Sequence, residues 1–186
     1  MAKPAESSPC PSELTDPSSD VGHCRDHEHL IKVVELRMLI VDNGVGRALL
    51  APSAIKQSDL SKPERSVSTL RKELTSSEEV QRRAKAINKQ AEWADDPLIA
   101  VASIESLRCI VDRQGRREVC VFAEPTSASE DSLGPCLSHA GLKRSLPAPL
   151  PTDRLDWAML RGKVAAAFSN LEHVCSNTDV TGGLVK

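Results

Sequence analysis

Short apolar runs broken by turn residues dominate this chain, and helical periodicity enters only twice. The first dense run is HLIKVVELRMLIVD, beginning at His29. Its Val, Ile and Leu content predicts a strand, and Leu36 to Leu39 fits a helical turn equally well. Asn43-Gly44 follows; both residues tolerate positive φ, so a hairpin turn is expected there. Arg47 to Leu50 reads as a short strand ended by Pro52, and Ser66 to Leu70 as a strand with alternation. Leu98 to Ala102 is a buried strand. A second hairpin is expected from Arg108–Val111 and Arg117–Ala123 around Asp112 to Gly115. Both faces of Arg117–Ala123 are apolar, which predicts a central strand. Ser138 to Lys143 is a further short strand.

The two helices are announced by their caps. Thr75 with Glu78, or Ser76 with Glu79, has capping-box spacing, and Val80, Ala84 and Ile87 form a thin apolar stripe as far as about Gln90. Thr152-Asp153 opens the second, expected from Arg154 to Glu172. Leu155, Met159, Val164, Phe168 and Leu171 form its stripe, with Trp157 off it. Together these elements predict an α+β fold: one mixed, mainly antiparallel sheet covered by two principal helices. Residues 1–27 read as a disordered Ser/Pro/acidic tail, 28–175 as a single globular domain, and 176–186 as a flexible C-terminal tail.

Composition narrows the function. Of 186 residues, 40% are apolar and the net charge is -2, so nothing calls for nucleic acid or an anionic membrane as partner. Aromatics make up only 2%, too few for stacked bases or an aromatic cage. No apolar run approaches the ~20 residues of a membrane-spanning helix, and the N-terminus has no secretory h-region. A cytoplasmic protein is expected, with its six cysteines as thiols. Cys109 and Cys120 would be small core hydrophobes.

Two Cys-x-x-His segments, Cys24 to His27 and Cys136 to His139, hold good zinc ligands, with His23 and His29 as spares. Neither has the knuckle or helix context of a paired-ligand site, so no metal or cofactor is assigned. The alternative is a polar tail beside an unrelated loop thiol and histidine. Cys136 paired with His139 as a nucleophile is too tight a spacing and lacks an orienting third group.

A second constellation points to chemistry on NAD or a nucleotide. Arg37 would hold phosphate, Ser66 and Ser68 would support a ribose pocket, and Glu124 would stabilise an oxocarbenium-like state, the order of ADP-ribosyl-transfer enzymes. His139, at the entrance of a strand, is a candidate general base or proton donor. The plainer alternative makes Ser66 and Ser68 the exposed side of an alternating strand and His139 a half-buried residue bonded to a backbone carbonyl.

Pro52-Ser53-Ala54-Ile55, Glu64-Arg65-Ser66-Val67-Ser68, Glu124-Pro125 and Ser138-His139-Ala140 stand in an order that resembles a set of small uncharacterised bacterial proteins. Those carry a Ser-Ala-Phe-like element, a Ser-Val strand and a late His-Ala. The resemblance implies no activity, and it groups Ser66 with His139. The reading from sequence is an accessory or interaction module that acts with a partner protein through an apolar patch near Trp93 or Trp157. The alternative is an enzyme with a pocket built from Arg37, Ser66, Ser68, Glu124 and His139.

Overall fold

The computed structural model describes residues 23–42, 46–62, 65–87, 98–126, 133–145 and 151–174. The strands are β1 (His29–Val34), β2 (Leu39–Asp42), β3 (Arg47–Leu50), β4 (Val67–Arg71), β5 (Leu98–Ser103), β6 (Val119–Ala123), β7 (His139–Arg144) and β8 (Asn170–His173). The helices are α1 (Gln57–Ser61), α2 (Ser77–Ile87), α3 (Ile104–Arg108) and α4 (Arg154–Ala167). Six strands form one sheet in the order β6-β7-β4-β1-β5-β8, and β2 with β3 forms a separate two-stranded ribbon. Every pairing is antiparallel. The fold is α+β.

Alternation along the strands sends side chains to two faces. Leu30, Val67, Ala100, Val119 and Leu142 point to the first, where they meet Trp157, Leu160, Val164 and Phe168 of α4 and its C-terminus. Ile31, Leu70, Ile99 and Val101 point to the second and are covered by Val80 of α2. On the first face Lys32 lies between Leu30 and Val34. Its burial holds the amine below the ordinary lysine range, and Lys56 adds to this while Asp59 and Glu35 oppose it.

The caps work as their sequences suggest. The Ser76 hydroxyl accepts from the Glu79 backbone N–H at 3.3 Å, and the Asp153 carboxylate accepts from the Asp156 N–H at 2.8 Å. Ser103 caps α3 in the same way. The Glu79 carboxyl is pushed up by burial, but hydrogen bonds from Arg82 and Arg83 outweigh that and leave it below its usual range.

Several expectations need correction. α4 ends at Ala167 and the chain turns into β8, so Leu171 belongs to a strand. The true stripe of α4 is Trp157, Leu160, Val164 and Ala165, with Phe168 just beyond, whereas Leu155 and Met159 are exposed. Trp157 is buried and offers no surface patch, while Trp93 lies outside the described residues. Ile104 to Arg108 is helical because Ser103 caps it, so the second hairpin shrinks to one bridge, Val111 to Arg117. Cys109 consequently leaves the core and is exposed.

β6 is an outer strand of the described sheet, yet it is apolar on both sides. Its second face is occupied by Phe122, packed close over Gly141, and by Cys120. Cys120 is disulfide-bonded, whereas Cys24, Cys109 and Cys136 are thiols. This overturns the expectation of six thiols and removes the cysteine argument for a cytoplasmic protein. No described helix is long and apolar enough to cross a membrane.

The packed chain also begins before residue 28. Cys24 is buried, and Arg108 bonds both its carbonyl oxygen and the Asp26 carboxylate. The clamp beneath this segment is a buried two-point ion pair: Arg71 Nε and Nη2 donate to the two Glu28 oxygens at 2.8 Å each. Breaking such a pair strands one charge in a poorly solvated place. Arg71→Leu alone is therefore expected to cost about 3–5 kcal/mol in denaturant unfolding. The double variant Glu28→Leu/Arg71→Leu should recover most of that loss. A single variant as stable as the parent would show that the pair does not anchor the segment.

Candidate functional site

β4, β7 and β6 lie side by side, and their register selects the site. Ser68 is opposite Gly141, Leu70 is opposite His139, and Phe122 is opposite Gly141. Cross-strand partners share a face, so Ser66, Ser68, His139, Phe122 and Glu124 all belong to the second face. α2 covers the middle of this face through Val80; Ser68 is exposed and Glu124 retains 37% of its side-chain exposure.

Four of the five residues singled out from the sequence meet here. The Ser66 hydroxyl donates to Glu124 Oε2 at 2.7 Å. Ser68 Oγ lies 2.8 Å from His139 Nε2. His139 Nδ1 lies 2.8 Å from the backbone oxygen of Glu124 and 3.8 Å from its carboxylate. The backbone oxygen can only accept, so Nδ1 carries the proton. In the neutral ring Nε2 is then the acceptor, and the Ser68 hydroxyl donates to it. The histidine is 11% exposed while the serine faces solvent. The chain thus holds an accessible hydroxyl on a ring whose tautomer is fixed from behind.

Arg37 does not join them. It lies in a 3-10 turn after β1, is 79% exposed and is ion-paired with Glu35 at 2.6 Å. The pyrophosphate-holding role assigned to it has no support in this geometry. The two Cys-x-x-His segments also stay apart: Cys24 packs in the first-face core and Cys136 in the second. Nothing brings their sulfurs to a common point, and His139 is committed to Ser68 and Glu124. Among the described residues no group of three or more His, Cys, Asp or Glu side chains is placed to hold a metal.

Sequence reasoning missed Gly141. A Cβ there would come within 2.7 Å of Glu124 Oε2, 2.7 Å of Phe122 Cζ and 2.9 Å of Ser66 Cβ. Its bare backbone is the floor on which the carboxylate and the ring rest. The signal was present: a glycine inside a strand, in His-Ala-Gly-Leu, marks close approach by a neighbour. Lys143 completes this edge, with its ammonium 4.6 Å from the centre of the Phe122 ring.

No protein-family model matches the chain, and no curated protein and no solved structure matches it.

Gly141→Ala should force Glu124, Phe122 and Ser66 apart and destabilise the fold by about 1–3 kcal/mol, the usual range for overpacking. Denaturant unfolding gives the stability change, and a structure of the variant should show the Ser66–Glu124 bond broken. Full stability with that bond intact would mean that the floor tolerates a side chain.

Proposed function

We propose that the protein is an enzyme of the acyl-transfer class, with Ser68 as nucleophile toward a carboxylic ester or a related carbonyl compound. The observation that carries this reading is the 2.8 Å contact from Ser68 Oγ to the unprotonated Nε2 of His139. Proton abstraction needs that contact and that tautomer. As Ser68 Oγ bonds to the carbonyl carbon, its proton passes to Nε2. The ring then returns that proton to the departing alkoxide, and water repeats the sequence to release the acid. Through both steps Nδ1–H stays on the Glu124 carbonyl oxygen. The Glu124 carboxylate, steadied by Ser66, lies close enough to favour the imidazolium. Ser68 and His139 are the catalytic residues in this reading; Glu124 and Ser66 are positioning residues. The NAD-directed alternative is weaker, because Arg37 is held elsewhere.

A serine-directed fluorophosphonate tests this on the intact chain. One adduct on Ser68, none in Ser68→Ala, and labelling slowed about a hundredfold or more in His139→Gln are expected. Ser66→Ala should slow labelling less. An unlabelled folded protein, or equal labelling of the His139→Gln variant, would overturn the reading.

One observation favours a second reading, docking on a partner protein. Ile40 and Val41 are consecutive on β2, so they point to opposite sides, and both are exposed, at 47% and 64%. Both faces of the β2–β3 ribbon therefore offer apolar surface.

A further inference from the structure

We propose that a second site, independent of Ser68 and His139, binds a small neutral polyhydroxylated molecule, with two adjacent hydroxyls held between His29 and Asn170. A cavity of about 240 Å³ opens where β1, β5 and β8 end beside the C-terminus of α4. His29, Ser103, Ser106, Ser169 and Asn170 supply its polar lining, and Val101, Ala166 and Ala167 its apolar lining. The register explains the grouping: His29 is opposite Ser103 on β5, and Val101 is opposite Asn170 on β8.

His29, Ser169 and Asn170 are exposed, so their polar groups are open to a ligand. Glu73 accepts from the His29 backbone N–H at 3.0 and 3.1 Å and from Nδ1 of its ring at 2.9 Å. A carboxylate accepts, so Nδ1 carries the proton, and in the neutral ring Nε2 keeps a lone pair. That lone pair calls for a hydroxyl donor. The Asn170 side chain, which offers both donors and an acceptor, makes no hydrogen bond among the described residues, nor does the Ser169 hydroxyl. A lone-pair acceptor beside an amide that both gives and accepts matches a vicinal diol, each of whose hydroxyls does the same.

Charge and size define the class further. His29 is the only titratable side chain in the lining, and Glu73 already accepts two N–H groups. The charges beside the lining, Arg47 on the Ser169 carbonyl oxygen and Glu73 on His29, are opposite in sign and already bonded, so the site has no net charge to draw an ion of either sign. The volume is below the roughly 300–1,000 Å³ of drug-sized pockets, so the ligand is about the size of a monosaccharide. Its C–H face would rest on Val101 and the alanines.

Isotope-labelled protein titrated with ribose, and separately with inorganic phosphate, tests this by nuclear magnetic resonance. Ribose should shift the His29 ring and Asn170 side-chain amide signals saturably, and phosphate should not. Asn170→Ala should weaken ribose binding at least tenfold while the remaining spectrum stays that of the folded protein. Non-saturating shifts, undiminished binding by the variant, or phosphate binding as strong as ribose binding would each overturn the proposal. The fluorophosphonate reaction at Ser68 is independent of this result.

Discussion

The antiparallel register of β7 between β4 and β6 is the constraint on which the rest depends. It sets Gly141 opposite both Ser68 and Phe122, and His139 opposite Leu70. A slip of one residue would move His139 and Gly141 to the face under α4 and bring Ala140 and Leu142 out. The first face could not accept the change, because Ala140 and Leu142 are fully buried against its core. Burial of two apolar side chains therefore fixes where a polar histidine must stand. From that position its Nδ1 finds the Glu124 carbonyl oxygen and its Nε2 finds Ser68.

The two faces of the sheet have divided roles. The first is a continuous apolar core that holds α4, α3, the 3-10 turn at Pro52 and the ribbon strand β3. The second carries a smaller core beneath α2 and, on either side of it, polar groups. On one side are Ser66, Ser68, Glu124 and His139; on the other are His29, Asn170 and their cavity. The larger core lies on the first face, and Ser68 and His139 are mounted on β4 and β7, with Ser66 and Glu124 one residue outside β4 and β6. For Ser68 and His139 this mounting holds geometry well, because β4 and β7 are each paired on both sides.

Much of this was legible in the sequence. Caps at Ser76 and Asp153 are local signals, and these local signals survived folding. The association of Ser66, Ser68, Glu124 and His139 also came through, since each falls at or beside a strand end with the parity that places it on one face. What failed depended on distant partners. Arg37 has a nearer carboxylate in Glu35, and no sequence pattern weighs that against a remote pocket. The Leu155 and Met159 stripe lost to the Trp157, Leu160 and Val164 stripe because helix periodicity alone leaves open which face meets the sheet. β8 was hidden because Asn170–His173 is short and polar, and pairing with β5 alone makes it a strand. The Cys120 disulfide is not something a spacing rule specifies.

The most direct measurement is the tautomer of His139 by ¹⁵N nuclear magnetic resonance of labelled protein. The account predicts a ring protonated at Nδ1 and bare at Nε2, with the Nε2 signal moving when Ser68→Ala removes its donor. A ring protonated at Nε2, or one indifferent to that substitution, would contradict it: His139 could not then take a proton from Ser68.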